Sequence, residues 1–155
     1  MFKSLFLPTL TYGQESWILT ERTRSRVQAV EMRFLRRIVG VTRLDRIRNN
    51  DIRTNLQVEP LLLSVERAQL RWYGHVLRMD DYRMAKKVCT AVMDTTRPVG
   101  RPRTRWIDQA RKLCSRAGLD PDDAQTQATD RNGWRRWISC YPPRPERISG
   151  VIDNE

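Results

Sequence analysis

Residues 20–40 read TERTRSRVQAVEMRFLRRIVG, from Thr20 to Gly40. Val27, Val30, Phe34, Leu35 and Ile38 recur at steps of three and four, the period of an amphipathic helix. Thr20 supplies an N-cap oxygen, and Glu21 sits where the helix dipole favours an anion. Gly40 closes the segment, since glycine takes the left-handed C-cap conformation without steric cost. The opposite face carries Arg22, Arg26, Arg33, Arg36 and Arg37. Glu31 is the one acid between Arg22 and Gly40, so pairing within the helix cannot neutralise that face. Arginines at helical steps can meet several phosphates of a nucleic-acid backbone at once.

Outward from this helix the pattern stays helical. A short helix is predicted from Asn50 to Leu56, with Ile52 and Leu56 inward and Asn49 or Asn50 as cap. Pro60 fits the first turn of a longer helix reaching about Met79. Val65, Ala68, Trp72, Val76 and Met79 form one apolar stripe there, with Leu63, Leu70 and Leu77 beside it. So wide an apolar surface implies packing against at least two other helices. Gly74 in its middle costs about 1 kcal/mol against alanine, which marks a spot where another helix comes close.

Residues 2–12 are apolar and read as a short helix interrupted at Pro8, with a turn at Gly13. Residues 86–93 are ambiguous by period, and their β-branched content favours a short strand or hairpin. Residues 94–103 form an Arg/Pro linker. Thr104 can cap a helix with Trp106, Ile107, Ala110, Leu113 and Cys114 inward, ending at Gly118. Asp120 and Pro121 open a small acidic helix, and Trp134, Trp137 and Ile138 give a last apolar turn. Prolines and lost periodicity predict a disordered tail over 139–155. The expected fold is mainly α: a small irregular bundle of about five or six helices, with Trp17, Trp72, Trp106, Trp134 and Trp137 mostly in the core.

Composition narrows the function. The 155 residues contain 29 Lys+Arg and 18 Asp+Glu, a net charge of +11. Only Lys3, Lys86, Lys87 and Lys112 are lysines, so 25 of the basic residues are arginine. Arginine presents a planar fork of donors that grips phosphate and stacks on bases. Residues 21–79 carry a net +7 and 80–119 a net +6, whereas 120–155 carry −2. The positive field therefore belongs to the periodic interior of the chain, which points to RNA or DNA as partner ahead of an anionic membrane. No run of 18 apolar residues is present, and the start lacks a signal-peptide cleavage site. Cys89, Cys114 and Cys140, odd in number and widely spaced, suit a reducing compartment. The expected location is intracellular, nuclear or cytoplasmic, and not secreted.

Two further segments qualify as contact sites. In Arg71-Trp-Tyr-Gly-His75, Trp72 lies on the apolar stripe and reads as core, whereas Arg71 and Tyr73 are freer to touch nucleic acid. His75 lacks a carboxylate or cysteine at useful spacing and reads as a packed or capping histidine. Arg101, Arg103 and Arg105 belong to a Gly-Arg-Pro-Arg segment starting at Gly100. It reads equally as an AT-hook-like strand for a narrow minor groove and as a proline-stiffened basic linker. Asp80 and Asp81 read as N-cap residues. No phosphate loop, nucleophile elbow or metal-binding helix motif occurs, so no catalytic residue, metal or cofactor is expected.

The segments also carry a resemblance. Leu10-Thr-Tyr-Gly-Gln-Glu-Ser-Trp17 is similar to the "YGSETW" element near the end of the polymerase region in non-LTR (LINE-type) retrotransposon reverse transcriptases, most closely the RTE-like group. Gln14 and Ser16 depart from the commoner serine and threonine. Arg33-Phe-Leu-Arg-Arg-Ile-Val-Gly40 resembles the following "RRILG" helix. Asp45 to Asn49, Leu70 to Met79 and Gly100 to Trp106 resemble later elements in the family's order. The resemblance implies a C-terminal segment that holds template RNA or target DNA while a polymerase acts, with the polymerase region as a second partner. The family's Asp-Asp metal motif and its endonuclease are absent from these residues, which reads as a fragment, truncated copy or domesticated remnant. The implied layout is a polymerase-end remnant over 1–20, a basic helical module over 21–93, the linker over 94–103, C-terminal helices over 104–138 and the tail.

Overall fold

The computed structural model describes residues 2–91, 100 and 104–142. Among them the fold is all helical, with no strand. A π turn over Phe2–Phe6 leads into α1 (Leu7–Leu10). The change of hydrogen-bonding register falls beside Pro8, which has no N–H to continue the ladder. A 3₁₀ turn, Gln14–Ser16, follows Gly13 at φ 67°. Then come α2 (Glu21–Val39), α3 (Asn49–Leu56), α4 (Leu61–Leu77), α5 (Met84–Thr90), α6 (Trp106–Arg116), α7 (Ala124–Thr129) and α8 (Arg131–Ser139).

The predicted ends of α2 are in place. Thr23 N donates to Thr20 Oγ1 at 3.2 Å, and Gly40 stands at φ 76° with its N–H on Arg36 O. The buried face holds Val27, Glu31, Met32 and Leu35, while Val30 and Ile38, expected inward, are exposed. The face is rotated because its centre is a carboxylate. Arg53 Nη2 and Nε reach Glu31 at 2.8 and 3.2 Å, and Leu61 N donates to it at 3.0 Å. A buried charge stays charged only when paired and hydrogen-bonded in this way. Glu31 thus locks α2, α3 and the start of α4 together. Met32, Leu35 and Ile52 complete this corner of the core.

α4 is the axis of the molecule, touching α2, α5, α6, α7, α8 and the 3₁₀ turn. Its buried set runs Leu61, Val65, Glu66, Ala68, Gln69, Leu70, Tyr73, Gly74 and Val76, most of its circumference. The main core gathers Leu70 and Tyr73 with Leu113 and Cys114 of α6, Trp134 and Ile138 of α8, and Leu119 and Tyr141. Gly74 is where α8 approaches, as expected: a Cβ there would stand 2.6 Å from Trp134 Cε2. The Trp134 indole N–H donates to Leu70 O at 3.1 Å.

Buried polar groups fasten the rest. Glu66 accepts from Arg24 at 2.7 Å, Arg116 at 3.2 Å and the Tyr141 hydroxyl at 2.8 Å. Gln69 donates to Trp17 O at 2.7 Å, Gln109 donates to Gln69 at 2.8 Å, and Leu19 N donates to Gln109 at 2.7 Å. This amide chain ties residues 14–19 to α4 and α6, aided by the Trp106 indole N–H on Glu15 O at 2.7 Å.

Several expectations are corrected. The stretch predicted as strand or hairpin, 86–93, is helical through Thr90 in α5, and 92–93 lie outside the described residues. Lys86 Nζ donates to Leu77 O and Met79 O, anchoring α5 on the end of α4, and the small helical cost of Val88 and Thr90 does not outweigh that. Asp80 and Asp81 do not cap α5. Its N-cap is Arg83, without a side-chain cap bond, and Asp81 pairs with Lys86 at 2.8 Å. Thr104 gives way to Arg105 at the N-cap of α6. Asp120 opens an Asx turn onto Asp122 N at 3.0 Å, one turn ahead of α7. Residues 139–141, expected in the tail, are ordered: Ser139 ends α8 and Tyr141 is buried on Glu66. Residues 143–155 lie outside the described residues, as do 92–99 and 101–103 of the linker. Trp134 is a core residue, whereas Trp17, Trp72, Trp106 and Trp137 are half-buried.

Candidate nucleic-acid interface

The α2 helix presents its arginines by rotation away from Glu31. Arg22, Arg26, Arg33 and Arg37 are all exposed, on the side opposite the buried line of Val27, Glu31 and Leu35. At a rise of 1.5 Å per residue this stripe runs about 22 Å, the length of roughly six base-pair steps at 3.4 Å. None of the four makes an ion pair among the described residues, where the paired arginines are Arg24, Arg53, Arg67, Arg105 and Arg116.

Arg36 has a different task from the one expected of it. Its Nη1 donates to Thr42 O at 3.1 Å, and its Nη2 to Ile47 O at 2.8 Å and Asn49 Oδ1 at 2.9 Å. It holds the loop after α2 from inside. Asp45 holds the same loop from its own chain, accepting from Thr42 N at 2.6 Å and Thr42 Oγ1 at 2.9 Å. Those two bonds keep the Asp45 carboxyl below its usual range. Arg46 takes a left-handed φ of 52° in this turn. The loop so fixed exposes Arg43, Arg46 and Arg48, three basic residues absent from the sequence-based site. The signal available for them was the Thr42-x-x-Asp45 turn, which orders the loop that carries them.

Between α2 and this loop lies a groove of about 950 Å³. Its lining includes Ala29, Met32 and Val41 together with Arg33, Arg36, Arg37 and Arg43, and contains no acidic side chain. A second, shallower depression of about 360 Å³ lies between the 3₁₀ turn and α4, lined by Gln14, Glu15, Ala68, Arg71, Trp72 and His75.

The remaining expected contacts divide. Arg71 is exposed. Tyr73 is 2% exposed and belongs to the core, so it cannot stack on a base. Burial also raises its hydroxyl above the usual tyrosine range. Tyr73 and Trp72 exchange the roles read from sequence: Tyr73 faces Trp106 and Trp134, while half-buried Trp72 lies 5.2 Å from the ring of exposed His75. Arg105 bonds Asp108 at 3.0 Å through both Nε and Nη2, which holds the Asp108 carboxyl down and raises the guanidinium. It is therefore partnered on the surface. Arg101 and Arg103 lie outside the described residues.

Among the described residues no three His, Cys, Asp or Glu side chains converge as a metal site. All three cysteines are free, and burial pushes the Cys114 thiol up to about 12, leaving it protonated at neutral pH. Among the same residues no helix is long and apolar enough to cross a membrane.

No family model matches the chain, and no solved structure matches it. The chain is 34% identical over 147 residues to an uncharacterized transposon-derived protein of Caenorhabditis elegans. The match covers 86% of this chain and 51% of the relative. That likeness supports a transposon origin. The chain spans about half the length of the curated relative it matches.

Proposed function

We propose that this chain is a non-catalytic, basic nucleic-acid-binding segment of a retrotransposon reverse transcriptase, holding template RNA or target DNA through arginine–phosphate contacts. The observation that carries the reading is the stripe of Arg22, Arg26, Arg33 and Arg37 along α2, exposed and without ion pairs among the described residues. Solvated guanidiniums on a rigid helix meet phosphates with little loss of order, and phosphate contacts fix register without reading sequence. The five sequence elements in family order support the reverse-transcriptase assignment, and the transposon-derived relative is compatible with such an origin. In this reading catalysis belongs to polymerase motifs outside these residues.

The test is a mobility-shift comparison of single-stranded RNA, duplex DNA and RNA–DNA hybrid over a salt series. Binding is expected to weaken steeply with salt because neutralised phosphates release counterions. Affinity independent of salt, or no shift with any of the three, overturns the reading.

One observation favours a second reading, docking on the polymerase region. Tyr82, Met84 and Val88 are 70%, 74% and 73% exposed on and beside α5, an apolar surface of the kind protein interfaces use. Size-exclusion chromatography separates the two: self-association without a nucleic-acid shift favours docking.

A further inference from the structure

We infer that the groove between α2 and the loop 41–48 takes an unpaired strand of nucleic acid, with its bases against the groove floor and its phosphates on the rim. The inference rests on the nucleic-acid reading above and narrows it to one class of ligand and one place.

The groove combines two kinds of surface. Its floor, between the arginines, is uncharged: exposed Ala29 and half-buried Val41 beside buried Met32, with Ser25, Gln28, Thr42 and Asn49. Its rim is cationic on both sides, with Arg33 and Arg37 from α2 and Arg43 from the loop, all exposed. A duplex offers phosphates outward and keeps its base faces stacked inside, so it can use the rim and has nothing for the floor. An unpaired strand exposes base faces as well as phosphates, and single-strand grooves join a cationic track to surfaces that receive those faces. Guanidiniums on the rim can also stack on bases while they bond phosphate.

The groove is also built in advance. Arg36 spends three hydrogen bonds on Thr42 O, Ile47 O and Asn49, and Asp45 closes the turn at Thr42. The loop that carries Arg43 is thereby fixed beside α2 before any ligand arrives, which limits the ordering cost of binding. With no acid in the lining, an anionic occupant meets only complementary charge. An acidic peptide has that charge but lacks flat bases for the floor.

Ala29→Leu tests the assignment. Position 29 is exposed in mid-helix, so the branched aliphatic side chain fills the groove without removing a guanidinium, adding an aromatic face for bases to stack on, or disturbing the core. Fluorescence anisotropy with the full chain compares labelled oligouridylate, a duplex of equal length, and poly-glutamate as competitor. Wild type is expected to prefer the unpaired strand by about tenfold. The variant is expected to lose about tenfold in affinity for that strand alone, with circular dichroism and duplex binding unchanged. A 4-thiouridine strand is expected to crosslink within residues 29–43. Equal losses for both nucleic acids, an unchanged single-strand affinity, crosslinks confined elsewhere, or displacement by poly-glutamate as effective as by oligouridylate each overturn the groove assignment. These outcomes leave salt-dependent binding standing. Failure of both nucleic acids to bind wild type overturns the parent reading itself.

Discussion

Replacing Gly74 by alanine should destabilise the protein although it improves the helix. In an exposed helix interior the change gains about 1 kcal/mol. Here the new methyl lands on the Trp134 indole, with Cε2 at 2.6 Å and Cδ1 at 2.7 Å from the Cβ position. Trp134 is 3% exposed and packed in the main core with Leu70, Tyr73 and Ile138. Overpacking of this kind costs about 1–3 kcal/mol, and a displaced indole also loses its 3.1 Å bond to Leu70 O, worth about 1 kcal/mol. The net expectation is a loss of about 1–3 kcal/mol after the helical gain is subtracted. Urea unfolding followed by circular dichroism measures it, with a lower midpoint at unchanged slope. The same substitution in a Trp134→Leu background isolates the cause. With the indole gone the clash is gone, so Gly74→Ala should become neutral or stabilising there, and the two substitutions should couple strongly. Equal destabilisation in both backgrounds, or stabilisation in wild type, refutes the claim that α8 presses on α4 at this point.

Three further outcomes follow from the buried and capping groups. Glu31→Ala leaves Arg53 and Leu61 N without their acceptor, and denaturant unfolding should show a loss of about 3–5 kcal/mol. Tyr141→Phe removes a 2.8 Å bond to charged Glu66 and should cost about 1.5–3 kcal/mol; no measurable cost would return Tyr141 to a frayed tail. Asp130 caps α8, its carboxyl held below the usual range by the backbone N–H groups of Gly133 and Asn132. A depressed folded value means that its contribution is complete above the ordinary carboxylate range and is lost as pH falls through the lower one. Wild type and Asp130→Asn should therefore differ in stability at neutral pH and converge in acid.

What sequence revealed and what it hid follow from the range of the interactions. The cap at Thr20, the turn at Gly40 and the arginine side of α2 are set within one helix, and periodicity exposes them. Gly74 was readable for the same reason: a costly glycine in a helix needs a neighbour. Trp72 and Tyr73 were exchanged because α4 is buried around most of its circumference, and a nearly continuous apolar surface has no distinct centre. Glu31, Glu66 and Gln69 gave no signal as core residues, since their partners Arg53, Arg116, Tyr141 and Gln109 come from distant parts of the chain. Arg36 shares a helix with four solvent-facing arginines and differs from them only by a loop that folds onto it. Arg43 is hidden for the converse reason: its position depends on that loop being ordered by Arg36 and Asp45.

The most direct test of nucleic-acid binding through the α2 stripe is the salt slope of the Arg33→Ala, Arg37→Ala double variant against wild type, read by anisotropy on duplex DNA. Each lost phosphate contact lowers the slope of log K against log salt by about 0.9. The expected reduction is about 1.8 with the urea midpoint unchanged, because both side chains are exposed and neither is ion-paired among the described residues. An unaltered slope with intact folding would contradict it.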